Sequence, residues 1–190
     1  MQVVRKASLV VALGLALGGA MAGEITGSTV LSTGSTNAAS GFLSSAKQNV
    51  GVAEQNGKIT NSTVISNGAN NSASGFLSSA NQDVGRARQN GKIANSTVIG
   101  TNLNNSASGF LSSASQEVGF AKGNGKVENS TVIANGANNR ASGFLSTANQ
   151  QIGGASGNGK LTNSTVIATG SNNSASGFLS SSDQSVGVAK

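Results

Sequence analysis

The chain contains no cysteine, proline or histidine, and neither tryptophan nor tyrosine occurs among its 190 residues. The lack of cysteine excludes a disulfide scaffold and a thiolate metal site. Without histidine or cysteine, the many serine and threonine hydroxyls have no neighbouring base to activate them. We therefore predict that the protein is not an enzyme, has no catalytic residues and uses no cofactor or metal ion.

Charged side chains are also sparse, at 9% of the chain, and twelve basic residues outnumber six acidic ones. Because Arg5 and Lys6 belong to the N-terminal segment described next, the remainder has a net charge of +4. Nucleic-acid-binding surfaces cluster Lys and Arg and stack bases on aromatic rings. Here the basic residues are dispersed, so we predict no nucleic-acid partner.

The first 22 residues have the organisation of a secretory signal peptide. Basic Arg5-Lys6 precedes an apolar stretch at 7–17, and Ala20-Met21-Ala22 forms a small-x-small cleavage site. No later segment approaches the roughly 20 apolar residues that a spanning helix needs. We expect residues 1–22 to be removed and residues 23–190 to be secreted, without a membrane span, to the cell surface or the extracellular space.

Large apolar side chains are scarce after the leader: Leu, Ile, Val and Phe supply 34 of 168 residues, near the level at which disorder becomes plausible. Ordering the backbone of a 34-residue unit costs on the order of 50 kcal/mol. One phenylalanine and a few aliphatic residues do not offset this. The unit must therefore be stabilised by contact with other copies of itself.

Such copies are present, because residues 23–190 form one domain of five near-identical repeats without insertions. Their bounds are 25–58, 59–92, 93–126, 127–160 and a shorter 161–190. Ser, Thr, Asn, Gly and β-branched residues dominate, which disfavours helix and favours strands and turns. We predict an all-β fold, a β-solenoid in which the repeats stack as amyloid-like cross-β rungs. Whether a repeat makes one rung or two half-rungs stays open.

Within the second repeat, the strand candidates are 62–65, 73–79 and 80–88. The turn signals are Asn67-Gly68 with Asn70-Asn71, and Asn90-Gly91. From Phe76 to Val84 every second residue is nearly fixed among the repeats, which predicts that this set faces inward and that its neighbours face water. The parity changes after Gly85, so this glycine marks a predicted bulge or corner.

In a stack of rungs, identical side chains form columns. Phenylalanine rings then stack on one another, and amide side chains donate to the same amide one rung away. We predict that three such columns drive self-association. Their members are Phe42, Phe76, Phe110, Phe144 and Phe178; Gln48, Gln82, Gln116, Gln150 and Gln184; and Asn61, Asn95, Asn129 and Asn163.

The outermost rungs of such a stack leave unpaired strand edges, which polar or helical caps cover in soluble solenoids. The repeats show no sequence typical of such a cap. We therefore predict that further copies add head to tail and form an open polymer.

The run 82–90, Gln-Asp-Val-Gly-Arg-Ala-Arg-Gln-Asn, with long repeats behind a signal peptide and an Asn/Ser/Ala/Gly-rich remainder, resembles the bacterial functional-amyloid fibre subunits. The resemblance is closest to the Fap family and looser to curli. It implies a subunit or nucleator of an extracellular fibre that supports biofilm formation and cell aggregation. It also implies export through an outer-membrane pore and a related fibre subunit as partner.

This chain departs from the Fap pattern because its repeats are contiguous and it has no Cys-x-x-Cys, and its 34-residue repeat is longer than that of curli. The minor (nucleating) and major subunits both remain open. An alternative is a monomeric secreted β-solenoid that presents a flat Ser/Thr/Asn face, as an adhesin or an ice- or glycan-binding surface protein does. The invariant threonine of Ser-Thr-Val-Ile fits this alternative, whereas a regular Thr-x-Thr pattern is missing.

Overall fold

The computed structural model describes residues 11–13 and 23–189. Apart from 11–13, the predicted signal peptide lies outside the described residues. The described residues form strands joined by turns, without a helix, in a parallel β-solenoid of five turns. Strand partners are 34 residues apart, as where Ile59 pairs with Ile25 and with Ile93. Each repeat is therefore one rung, and the predicted all-β solenoid is confirmed.

Each rung contributes one strand to each of four sheets. The first sheet contains β2 (Glu24–Thr26), β6 (Lys58–Thr60), β10 (Lys92–Ala94), β14 (Lys126–Glu128) and β18 (Lys160–Thr162). The second contains β3 (Thr29–Thr33), β7 (Thr63–Asn67), β11 (Thr97–Thr101), β15 (Thr131–Asn135) and β19 (Thr165–Thr169). An additional strand of the second sheet, β1 (Val11–Leu13), runs antiparallel to β3.

The third sheet contains β4 (Thr36–Ser40), β8 (Asn70–Ser74), β12 (Asn104–Ser108), β16 (Asn138–Ser142) and β20 (Asn172–Ser176). The fourth sheet has the longest strands and faces the other three. Its members are β5 (Leu43–Ala53), β9 (Leu77–Ala87), β13 (Leu111–Ala121), β17 (Leu145–Ala155) and β21 (Leu179–Val186).

The interior has two compartments. The larger one packs aliphatic residues of the first, second and fourth sheets, such as Ile93, Val98 and Val118. The smaller one, between the third and fourth sheets, is lined by alanines such as Ala107 and Ala114. Since alanine is short, these two sheets approach closely, and buried polar groups there lie within reach of backbone carbonyls.

The predicted change of parity occurs at Gly85 and its equivalents, inside the long strands. Gly85 has φ +60°, and the alternation of buried residues changes from Gln82 and Val84 to Ala87 across it. A left-handed residue in a strand is a bulge, and glycine adopts it without steric cost. The bulge directs the end of each long strand towards the first sheet.

Other sequence-based details differ from the structure. Asn70-Asn71 lies in β8 rather than in a turn, and the predicted strand 73–79 is interrupted by a corner at Gly75, where φ is +150°. The short strands of the first sheet were not predicted. Among the described residues, no helix has the length and apolarity needed to cross a membrane.

Candidate self-association surfaces

The glutamines of the long strands form a hydrogen-bonded column, the glutamine ladder. Gln82 Nε2 donates to Gln48 Oε1 at 2.8 Å, Gln116 to Gln82 at 2.5 Å, and Gln150 to Gln116 at 2.6 Å. Gln82 Nε2 also donates to the Ala69 carbonyl at 3.1 Å. The three inner side chains are at most 1% exposed. Every bond points from a later rung to an earlier one.

The glutamine ladder changes at the fifth rung. Gln184 Nε2 donates to the Ser171 carbonyl at 3.3 Å instead of reaching Gln150. Within residues 23–189, the buried Oε1 of Gln150 has no hydrogen-bond partner. A buried amide oxygen without a donor is costly, so the fifth rung is less completely bonded than the inner ones.

A second amide column was not predicted from the sequence. This asparagine ladder consists of Asn37, Asn71, Asn105, Asn139 and Asn173. In the first four rungs Nδ2 donates to the Oδ1 of the following rung at 2.8 to 2.9 Å, the direction opposite to that of the glutamine ladder. Asn105 Nδ2 also lies 3.0 Å from the Ala80 carbonyl and 2.8 Å from the Ser115 carbonyl. The ladder therefore ties the third sheet to the fourth through the alanine compartment.

The predicted asparagine column at Asn61, Asn95, Asn129 and Asn163 is wrong. These residues form the corner between the first and second sheets, with φ of 46–49° and exposed side chains. Among the described residues, their side chains make no hydrogen bonds to one another. The first repeat has Gly27 there, with φ +58°. Asparagine is selected at this corner because it tolerates the left-handed conformation.

The phenylalanine column forms, but the prediction that it faces inward is wrong. Adjacent rings stack with centroids 4.8–5.0 Å apart and interplanar angles of at most 9°. Phe76, Phe110 and Phe144 are 43–44% exposed. Each ring follows the glycine corner between the third and fourth sheets, so the inward alternation begins only at the next serine, as at Ser78.

Acidic residues predicted to face water are buried beside the bulge. Asp83 and Glu117 are each 3% exposed, and they are direct partners in adjacent rungs. Arg86 pairs with both, at 2.5 Å to Asp83 and 2.8 Å to Glu117, and Lys122 pairs with Glu117. Burial raises the pKa of Asp83, and the negative charge of Glu117 raises it further, although Arg86 opposes the shift.

This pKa shift predicts how stability depends on pH. The folded pKa of Asp83 lies above its ordinary value of 3.8, so the folded state binds the proton more tightly than the unfolded state. The free energy of unfolding should therefore fall as pH rises from about 3.8 through the folded pKa. Urea unfolding at several pH values tests this against Asp83→Asn, which should show a shallower fall. Equal slopes would mean that Asp83 does not contribute.

The outermost rungs carry the ends of both ladders. Within residues 23–189, Gln48 Nε2 and Asn37 Oδ1 have no partner on the first rung. On the fifth rung, Asn173 Nδ2 donates to Ser182 Oγ at 2.9 Å. Ser182 replaces the alanine of the other repeats, as at Ala148. Its hydroxyl takes the place of the asparagine oxygen that the next rung supplies elsewhere.

Comparison with known proteins identifies no relative: no family model matches the chain, and neither curated proteins nor solved structures show significant similarity to it. The functional interpretation therefore depends on the geometry of the chain itself.

Proposed function

We propose that the protein is a structural subunit or nucleator of an extracellular fibre, in which copies join end to end through their outermost rungs. The observation that carries this proposal is that both amide ladders reach those rungs with complementary groups. The glutamine ladder offers Nε2 of Gln48 on the first rung and Oε1 of Gln184 on the fifth. The asparagine ladder offers Oδ1 of Asn37 on the first rung, and Nδ2 of Asn173 on the fifth rung reaches it by exchanging its hydrogen bond to Ser182 Oγ.

The direction of the ladders favours a head-to-tail joint. Removal of residues 1–22 also removes β1, which covers the outer edge of β3. When the fifth rung of one copy then meets the first rung of the next, each donor faces an acceptor and the strands continue in parallel register. Two first rungs facing each other would bring donor against donor in the glutamine ladder. Seen along the common axis, the chains of these two rungs would also run around the solenoid in opposite directions. The strands of one rung would then not lie over the matching strands of the other. A heterologous joint that does not close on itself propagates as a filament.

The same proposal includes the expectations from the resemblance to Fap-like and curli-like subunits. The chain is secreted through an outer-membrane pore, assembles with itself and with a related subunit, and supports biofilm formation and cell aggregation. Its role is structural rather than catalytic. The stacked phenylalanines and amides of this chain support the proposal because stacks of this kind stabilise amyloid.

Fibre diffraction and seeded growth test the proposal. Purified protein at micromolar concentration should form filaments whose meridional reflection lies near 4.7–4.8 Å. Preformed filaments should shorten the lag phase. A monodisperse monomer that persists for days and forms no filaments after preformed filaments are added would contradict the proposal.

One observation favours the adhesin or ice- and glycan-binding alternative. On the outer face of the second sheet, a column of threonines lies beside a column of aliphatic residues. The threonines are Thr29, Thr63, Thr97, Thr131 and Thr165. Replacing Thr97 and Thr131 with lysine should abolish ice or glycan binding if this face is functional, and should leave filament growth unchanged if it is not.

A further inference from the structure

An exposed apolar ridge runs along the solenoid at the corner between the third and fourth sheets. It consists of the five stacked phenylalanines and the leucines that follow them: Phe42, Phe76, Phe110, Phe144, Phe178, Leu43, Leu77, Leu111, Leu145 and Leu179. We call it the Phe–Leu ridge. The outermost rings, Phe42 and Phe178, are 69% and 73% exposed, and Leu43 and Leu179 are 71% and 58% exposed.

Packing within the chain does not explain this ridge. The sequence Ser-Gly-Phe-Leu-Ser is identical in all five repeats, yet neither of the two interior compartments includes its Phe or Leu residues. With side chains of about 200 Å², the phenylalanines alone expose roughly 500 Å² of contiguous apolar surface. A patch of this size on a soluble protein marks an interaction site.

We propose that the Phe–Leu ridge binds the same ridge of a second copy, so that two solenoids lie side by side. The ridge repeats every 4.8–5.0 Å along the axis. A partner that contacts all five rings equally needs the same period, and another copy has it. This lateral contact goes beyond the proposed function, whose joints use the outermost rungs.

Area and charge both fit this partner. Two facing ridges would remove roughly 1,000 Å² of phenylalanine surface from water, and with the leucines the total reaches the 1,200 Å² at which stable interfaces begin. No charged residue occurs in Ser-Gly-Phe-Leu-Ser of any repeat, so two ridges approach without local repulsion. The buried charges at Asp83 and Arg86 lie beside the bulge, near the other end of the long strand.

Mass per length, measured by scanning transmission electron microscopy, tests the lateral contact. Filaments of the wild-type chain should contain two 34-residue rungs per step of about 4.8 Å. Filaments of the double variant Phe110→Ser, Phe144→Ser should contain one, an approximately twofold drop. The control is Ile99→Ser, Ile133→Ser, which removes apolar surface from the outer face of the second sheet and should keep two rungs. One rung per step in the wild type would overturn the ridge contact.

The possible results distinguish failure of the lateral ridge contact from failure of the proposed end-to-end joining. Filaments with a single rung per step would retain the proposed function and remove the ridge contact. Without filaments, sedimentation decides: wild-type dimers that the phenylalanine variant abolishes would support the ridge while overturning the fibre. Wild-type monomers alone would overturn both. Because the wild-type measurements need no variant, the test holds even if the phenylalanine variant fails to fold.

Discussion

Replacing Asn105 with aspartate should destabilise the solenoid by about 3 to 5 kcal/mol at neutral pH, the usual effect of a buried charge without a partner. Asn105 is 1% exposed, and its Nδ2 donates to Asn139 Oδ1 and to two backbone carbonyls. The substitution preserves the shape of the side chain but places a carboxylate oxygen against three acceptors. Burial should raise the pKa of this carboxyl, so the loss should shrink as pH falls and the group protonates.

The matched control is Asn104→Asp, one residue earlier on the same strand. Asn104 donates to Asn70 at 2.9 Å on the exposed side of the third sheet. There water solvates a carboxylate, so we expect a loss below about 1 kcal/mol. Urea unfolding of both variants at neutral and acidic pH is the measurement. Similar losses of unfolding free energy in the two variants, or a loss for Asn105→Asp that does not depend on pH, would show that the asparagine ladder does not stabilise the rungs.

Replacing Gly119 with alanine should cost about 2 to 5 kcal/mol, since it combines a left-handed backbone with overpacking. Gly119 has φ +60°, and a Cβ atom there would lie 2.5 Å from both methyl groups of Val132 in the next rung. The valine is fully buried and has no space to move into. The bulge therefore depends on glycine for two separate reasons.

The variant Gly68→Ala distinguishes the effect of the left-handed backbone from the effect of the clash with the next rung. Gly68 also has a left-handed φ, +67°, but its nearest contacts for a Cβ lie at 3.8 Å. We expect it to lose only the conformational part, about 1 to 2 kcal/mol. Thermal unfolding of the two variants measures the difference. If both lose the same amount, contact between the bulge and the next rung does not contribute to stability.

Much of the fold can be predicted from the sequence because aligning the five repeats shows, at each position, whether the residue is fixed or varies. The fixed set Ser78, Ala80, Gln82 and Val84 is buried as its period of two predicts, and Gly85 is the predicted bulge. The 34-residue spacing of the repeats is also the spacing of strand partners. Both predictions depend on backbone geometry, which repeats identically in every rung.

The errors arise where invariance has two possible causes. Phe76 is as constant as Gln82, yet its ring stacks on the surface. Asn61 recurs in four of the five repeats because asparagine tolerates the left-handed backbone of that corner. Invariance shows that a position is constrained but does not show on which side of the strand it lies. The sequence did contain a signal for the asparagine ladder. Asn71 and Ala73 are two residues apart, so they share one face of a strand, and both are constant in all five repeats.

The central claim, that copies stack end to end in register, is tested most directly by cysteine cross-linking. The chain has no native cysteine, and Ser45 and Ser181 are exposed members of one column on the first and fifth rungs. In an equal mixture of Ser45→Cys and Ser181→Cys proteins, oxidation should join position 45 to position 181, because neighbouring rungs place Cα atoms within the 4.4–6.8 Å range of a disulfide. Ser174→Cys, in the third sheet of the fifth rung, is the control that should not join to position 45. Dimers linked 45 to 45 and 181 to 181, or filaments with no 45-to-181 link, would contradict the account.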